Sequence, residues 1–211
     1  MATANDTFTD TAATALVSHT PDSGGSWTLA PSQTTGLVIS GSGTEVNSGN
    51  GDLNGYYHSI TPATAEYDVT VVTTTQGAGG VSIGVTGRQD TAADTFYWFF
   101  WNGGAPGWQL RQHVAGVNTT HVSNNTLSPE SVGRTIVMQL RSDRIVCTVD
   151  GTTVVDFGPG RTTNGTIDIT AVGRPGIKGG DGTGSKATSW DFADAAGAQH
   201  DPFVKVLFKA A

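Results

Sequence analysis

Hydrophobic and polar residues alternate along most of this chain with a period of two, and no stretch shows the 3.6-residue period of an amphipathic helix. Runs of valine, isoleucine, threonine and aromatic residues are separated by clusters of glycine, asparagine, aspartate, serine and proline, which is typical of strands joined by turns. The alternation predicts about a dozen short strands. They fall at residues 27–29, 36–40, 56–60, 65–74, 80–88, 95–101, 108–114, 134–141, 144–150, 152–157, 165–172 and 187–193.

The clearest local prediction is a hairpin at Asp150-Gly151. Alternating runs flank this pair on both sides, and Asp-Gly tolerates the positive φ angles that a two-residue hairpin turn requires. Cys147 lies in the first run, where we expect a small buried hydrophobic side chain and not a reactive thiol. Many strands and no helix predict an all-β fold of two packed antiparallel sheets.

The chain shows no internal repeat and no long linker. We therefore predict a single sandwich domain over residues 1–194, with the glycine-rich residues 173–185 forming a long surface loop. Residues 195–211 are predicted to be a C-terminal tail, within which residues 203–208 alternate again. This run is either a last strand of the same sheet or a segment that docks on a partner chain by strand addition.

Composition excludes several classes of protein. The 211 residues include 29 glycines, and only 14% are charged, with 11 basic against 18 acidic residues and a net charge of −7. Without a basic stripe we expect no nucleic-acid binding, and a single cysteine excludes a disulfide scaffold. No apolar run approaches the ~20 residues of a membrane span. The first ten residues lack a secretion-signal pattern, so we expect synthesis in a cytoplasm.

Three groups of segments, taken in order, carry a resemblance to a known family. They are residues 6–8 with 19–27, residues 83–88 with 97–98 and 108–110, and residues 145–151. Together they resemble the concanavalin A-like lectin/glucanase superfamily in its laminin-G-like form, and Asp191-Phe192 is similar to its closing strand. The resemblance covers residues 6–194. It implies a two-sheet antiparallel jelly-roll sandwich with one concave sheet, and carbohydrate binding on that concave face or its rim loops.

The opening of the chain is also similar to modules of bacteriophage tail and head-decoration proteins. This resemblance implies a virion protein made in the host cytoplasm, whose partners are other virion proteins or copies of itself in a homo-oligomer, with glycans as further ligands. The alternative is a free-standing bacterial carbohydrate-binding module, which would be extracellular.

Catalysis is the third alternative, because some members of the superfamily are glycoside hydrolases that need two carboxylates at one sugar. The family motif Glu-x-Asp-x-x-Glu is absent, since Glu66 and Asp68 are followed by Val71. The side-chain arrangement of a lyase active site is also absent, because the adjacent Gln112 and His113 would point to opposite faces of a strand. We therefore expect no enzyme, and keep a divergent glycosidase or polysaccharide lyase as the less favoured hypothesis.

Residues 95–101 are aromatic on both faces of the predicted strand. One set of rings is expected in the core, and the other on an outer surface or at an interface. Apolar faces of sugars stack on aromatic rings, while polar side chains bind hydroxyls. A hypothetical glycan groove would thus use Tyr97, Trp98, Trp101 and Trp108 with their polar neighbours Arg88, Asp94, Asn102 and Arg111. The alternative is that all these rings are anchors of the core or of a subunit interface.

Calcium is a candidate cofactor, because calcium sites are frequent in the superfamily and calcium prefers oxygen ligands. Asp6, Asp22, Asp181 and Asp191 lie in predicted loops or at strand ends. No run of alternating aspartates fixes a site, and aspartate is also common in turns for local reasons.

Overall fold

The computed structural model describes residues 2–34, 36–43, 45–48, 54–75, 80–103, 107–124, 127, 133–180 and 184–195. Its first sheet has nine strands, all antiparallel to their neighbours apart from a short parallel pair at one edge. In spatial order they are β14 (Thr163–Asn164), β13 (Thr152–Gly158), β12 (Ile145–Val149), β11 (Thr135–Leu140), β6 (Tyr67–Thr75), β16 (Lys186–Asp194), β4 (Val46–Ser48) and β3 (Leu37–Ile39), and β1 (Thr3–Asp6) also pairs with β16.

The second sheet has seven antiparallel strands, and its middle carries the aromatic residues. Its spatial order is β10 (Val117–Asn124), β9 (Gly107–Val114), β8 (Thr95–Asn102), β7 (Gly84–Gln89), β15 (Arg174–Gly179), β5 (Asn54–His58) and β2 (Trp27–Leu29). Among the described residues the helical element is a 3-10 turn at Leu16–Ser18, and no described helix has the length and apolarity to cross a membrane.

The two sheets pack face to face over one hydrophobic core. Alternate residues of β6, β11 and β12 face alternate residues of β7, β8 and β9, and most of these side chains are fully buried. Each buried large apolar side chain contributes about 1.5–3 kcal/mol to folding. The structure is therefore the all-β, two-sheet jelly-roll sandwich that the sequence predicts.

The Asp150-Gly151 hairpin is confirmed. Strands β12 and β13 pair antiparallel around it, and both turn residues have positive φ. Cys147 is buried in the core as predicted, and burial raises the pKa of its thiol well above the usual value, so the side chain is an unreactive part of the packing.

Several strand predictions are corrected by the structure. The glycine-rich residues 173–185, predicted to be a loop, contain β15, which lies in the seven-stranded sheet between β7 and β5. Residues 165–172, predicted to be a strand, are irregular after the two-residue β14. Strands β1, β4 and β10 were not predicted. In each case the pairing partners decide the outcome and override local propensity.

Some sequence predictions lie outside the described residues. They include the tail from residue 196 onward with its alternating run at 203–208, and the calcium candidate Asp181.

Candidate functional site

The outer face of the seven-stranded sheet carries a second, separate aromatic cluster. Strand β8 points Tyr97 and Phe99 into the main core, and Phe96, Trp98 and Phe100 to the opposite face. This division follows from the alternation of side chains along a strand. Trp98 and Phe100 stack at 3.7 Å between ring centroids, and the three outer rings are at most 4% exposed.

Two cationic side chains cover these rings. Lys178 of β15 places Nζ 4.9 Å from the centroid of Trp98, and Arg111 of β9 places Cζ 4.9 Å from that of Phe100. Burial lowers the pKa of Arg111, but a guanidinium stays protonated at neutral pH. The outer face therefore carries a buried aromatic cluster covered by two cationic side chains, each attracted to a ring by about 0.5–2 kcal/mol of cation–π interaction.

A chain of hydrogen bonds runs along one side of the cluster. Lys178 Nζ donates to Gln33 Oε1 at 2.6 Å, and Gln33 Nε2 donates to Asp94 Oδ1 at 3.1 Å. The other carboxylate oxygen of Asp94 lies 2.7 Å from His113 Nε2, and His113 Nδ1 lies 2.7 Å from Asn118 Oδ1. Gln33 comes from the segment after β2, so this segment crosses the face of the sheet.

Three polar atoms in one cross-strand row are buried without a partner. Thr86 of β7 pairs with Trp98 of β8, and Trp98 pairs with Arg111 of β9, so the three side chains are neighbours on one face. Among the described residues, Thr86 Oγ1, Trp98 Nε1 and Arg111 Nε have no hydrogen-bond partner. Unpaired buried polar atoms are rare in native proteins, and three adjacent ones mark a place where a ligand or water supplies the missing partners.

The remaining candidate residues lie elsewhere. Tyr97 is buried in the core, and its hydroxyl accepts from the backbone N–H groups of Asp168 and Ile169. Arg88 is 2% exposed and donates to the backbone carbonyls of Ala65, Ile169 and Arg141. Both side chains therefore hold the end of the sandwich together and do not face the aromatic cluster.

Two of the tryptophans also belong to the main core. Trp108 is fully buried and donates its indole N–H to the Leu127 carbonyl at 2.9 Å. Trp101 is half-buried and packs edge-on against Trp108. Asn102 is half-buried at the end of β8, where its amide lies 3.5 Å from Gln109 Oε1. The structure thus brings Trp98, Asp94 and Arg111 together and leaves the other candidate rings in the core.

The carboxylates considered for catalysis belong to the other sheet. Glu66 accepts from the backbone N–H of Ser142 at 2.8 Å, and Asp68 of β6 forms an ion pair with Arg141 at 2.7 Å. These contacts give both carboxylates a structural role.

The calcium candidates within the described residues have separate roles. Asp6 accepts from the Trp27 indole at 2.6 Å and contacts His19 at 2.9 Å, and Asp22 accepts from Thr7. Burial raises the pKa of Asp191, which lies on β16. No group of three or more potential metal ligands occurs among the described residues.

Sequence reasoning missed Thr86, Gln33, Lys178 and His113 as parts of the outer face. Lys178 lies in the glycine-rich run predicted to be a loop. Gln33 packs closely over Gly55, where a Cβ would lie 3.1 Å from Gln33 Cγ. No local signal in the sequence indicates either contact.

Comparisons with known proteins extend the fold assignment. No family model matches the chain, and no curated protein sequence matches it. Among solved structures, a carbohydrate-binding module, CBM66 from Bacillus subtilis, superimposes with a TM-score of 0.57 at 15% identity, over 80% of this chain and 92% of that one.

Two further solved structures are similar. A Bacillus licheniformis β-glucanase has a TM-score of 0.54 at 11% identity, over 88% of this chain and 99% of its own. A glycosyl hydrolase family protein from Mycobacterium fortuitum has a TM-score of 0.51 at 11% identity, over 90% and 98%. At these identities the likeness concerns the fold, and the chain is therefore a jelly-roll sandwich of the concanavalin A-like type.

Proposed function

We propose that this protein binds glycans without catalysing a reaction on them, and that its binding surface is the outer face of the seven-stranded sheet. The observation that carries the proposal is the row of unpartnered polar atoms on Thr86, Trp98 and Arg111. A sugar fits this row because each hydroxyl group both donates and accepts. Its oxygens would accept from the indole and guanidinium N–H groups, and the threonine hydroxyl would exchange a hydrogen bond with it.

The energetics favour a ligand at this place. A buried polar atom without a partner costs about 1–3 kcal/mol, so three such atoms are a cost that binding would recover. The apolar face of a sugar ring can also replace the aliphatic stem of Arg111 over Phe100. The cation–π contact of Arg111 is weak enough for a ligand to displace, whereas Lys178 is held by its hydrogen bond to Gln33 as well.

The similar solved structures agree with the class of ligand. One is described as a carbohydrate-binding module and another as a β-glucanase, so proteins of this fold engage carbohydrates. This agreement supports the proposal, which rests on the row itself.

The absence of catalysis is proposed from the residues of the sheet. None of its seven strands, as the structure bounds them, contains an aspartate or glutamate. Asp94, just before β8, is bound to His113 and Gln33. Glycoside hydrolysis ordinarily needs two carboxylates facing one sugar. Release of reducing ends from a polysaccharide panel by the purified protein would contradict this part of the proposal.

Replacing Thr86 by valine tests the site with little change of shape. Since the hydroxyl has no partner in the free protein, Thr86→Val is expected to raise the free energy of unfolding by about 1 kcal/mol. The same change is expected to weaken binding of glycans identified on an array by about tenfold. Urea unfolding and calorimetric titration measure the two effects.

The matched control is Thr73→Val. Thr73 is also buried, but its hydroxyl donates to the Arg134 carbonyl at 3.1 Å and accepts from the Arg134 N–H at 2.9 Å. This variant should lose stability and keep glycan affinity. Absence of any wild-type glycan binding, or equal affinity of Thr86→Val and wild type, would contradict the sheet-face site.

A finer proposal concerns the biological setting. The resemblance of the opening residues to bacteriophage modules supports a role as a capsid-decoration or tail protein that assembles with itself or with other virion proteins. Mass spectrometry of purified particles tests this role, and absence of the protein from every particle preparation would refute it.

A further inference from the structure

A second concave site lies at one end of the sandwich, away from the aromatic cluster. It has a volume of about 590 Å³ and lies between the β7–β8 turn and segment 168–174, which leads into β15. Binding sites for small molecules occupy about 300–1,000 Å³. Thr86, Trp98 and Arg111 are not among the described residues that line this cavity, so it is distinct from the sheet-face site.

The walls of the cavity are held rigidly. Arg88 has φ of 52°, which is uncommon for a residue with a side chain, and its guanidinium binds carbonyls of three separate segments. Gly173 packs so closely on it that a Cβ there would lie 2.1 Å from the Arg88 carbonyl carbon. The Tyr97 hydroxyl fixes the N–H groups of Asp168 and Ile169. A cavity with walls fixed in this way is preorganised for a ligand.

Acceptors remain free on the residues that line the cavity. Asp168 is exposed, and its carboxylate has no hydrogen-bond partner in the described part of the chain. Asp90 accepts with Oδ1 from the N–H groups of Ala92 and Ala93. Its second oxygen has no partner among the residues that the structure covers.

Donors remain free as well. Arg174 donates from Nη1 to the Ser59 carbonyl and to Thr61, and within the described ranges it forms no ion pair. The side-chain oxygen Oε1 of Gln112 lies 2.9 Å from His121 Nε2. This contact leaves the N–H groups of the Gln112 side-chain amide available. Free carboxylate oxygens and free planar N–H donors therefore line the same cavity.

The charges of the lining residues cancel. The charged residues that line it are two aspartates, Asp90 and Asp168, and two arginines, Arg88 and Arg174. A charged ligand would be attracted by one of these pairs of side chains and repelled by the other. A neutral polyol can instead donate hydrogen bonds to the carboxylates and accept them from the Arg174 guanidinium and the Gln112 amide. Exposed Val114 and Val172 add an apolar border to the cavity.

From this geometry we infer a second binding site, for a single neutral sugar residue, in the cavity between the β7–β8 turn and segment 168–174. No aromatic ring lines this cavity among the described residues. Hydrogen bonds to the hydroxyls therefore carry the recognition, and affinity in the millimolar range with strong dependence on hydroxyl stereochemistry is expected. The inference does not require the sheet-face site.

The test uses methyl glycosides of glucose, galactose, mannose and N-acetylglucosamine, titrated into the ¹⁵N-labelled full chain and followed by amide NMR shifts. Saturable shifts are expected at residues 89–91 and 168–174. Asp168→Ala should weaken the response about tenfold or more, because a hydrogen bond to a charged group is lost. Val172→Trp should abolish the response by filling the cavity.

A control variant separates the cavity from general damage. Val17→Trp places the same bulk at an exposed valine outside the cavity and should bind like wild type. Absence of shifts with every glycoside overturns the inference. So do shifts confined to Trp98 and Arg111, unchanged affinity in Asp168→Ala, or tighter binding of glucosamine or glucuronate than of the neutral sugars.

Discussion

His19 connects the first residues of the chain to the sandwich through two carboxylates. Its Nε2 lies 2.9 Å from Asp6 and its Nδ1 lies 3.0 Å from Asp10. Because both ring nitrogens face acceptors, the doubly protonated ring fits this place best. Burial opposes the charge on His19, but the hydrogen bonds and charges of Asp6 and Asp10 outweigh it and raise the pKa of His19.

This arrangement predicts a specific dependence of stability on pH. The stabilisation by His19 is complete below its unfolded pKa of about 6.5 and is lost as pH rises through the higher pKa of the folded state. His19→Gln is expected to cost about 2 kcal/mol at pH 6, mainly from the buried pair with Asp6. The difference should shrink between about pH 6.5 and pH 9, as measured by urea unfolding.

Two other histidines act in the opposite direction and serve as controls. Burial lowers the pKa of His58 and of His121, so their contributions are present at high pH and are lost as pH falls below about 6.5. His58→Gln should therefore leave unchanged the loss of stability that the protein shows as pH rises above about 6.5. An equal cost of His19→Gln at pH 6 and pH 9 would show that His19 is neutral in the folded protein.

At the scale of elements, β15 shows how packing overrides composition. Glycine is depleted in strands and weakens them, yet the run Arg-Pro-Gly-Ile-Lys-Gly forms a strand between β5 and β7, and its residues 176–178 pair with both neighbours. Ile177 anchors it in the core, and Lys178 reaches the outer rings. The sheet accepts this strand because Gly176 permits a close approach, since a Cβ there would lie 2.1 Å from the Tyr56 carbonyl oxygen.

Adding a Cβ at Gly176 should destabilise the folded protein. Gly176→Ala is expected to destabilise the protein by about 2 kcal/mol or more, because backbone atoms cannot give way as a flexible side chain can. Gly41→Ala is the matched control, since a Cβ at Gly41 meets no atom within 4 Å. Equal melting temperatures for the two variants would refute the close approach as the reason for glycine in β15.

At the scale of the whole molecule, the two sheets and the first residues close on one another within residues 3–194. Strand β1 pairs with the last described strand, β16, and Asp194 accepts from the N–H groups of Ala2 and Ala63. The described strands thus share one hydrophobic core that includes residues of both β1 and β16.

Deletion of residues 196–211 is therefore expected to leave the melting temperature within a few degrees of the full chain. If the tail docks on partner chains by strand addition, the same deletion should reduce the mass measured by light scattering from an oligomer to a monomer. A large loss of stability would instead indicate that the tail completes the sandwich, and a monomeric full chain would exclude self-assembly through it.

Features that depend on local periodicity could be predicted from the sequence. The alternation of apolar and polar residues fixed the all-β class, the division of β8 between two faces, the burial of Cys147 and the hairpin at Asp150-Gly151. These features follow from the two-residue period of a strand and from turn chemistry, which are visible within a few neighbouring residues.

Contacts between residues far apart in the sequence became visible only in the folded chain. Thr86, Trp98 and Arg111 form a row because three strands pair in one register, and Gln33 reaches Lys178 across 145 positions of sequence. The cavity between the β7–β8 turn and segment 168–174 arises where Arg88 and Tyr97 fix a segment some 70–80 residues away. Register and close approach depend on the whole core packing at once, and no local pattern encodes them.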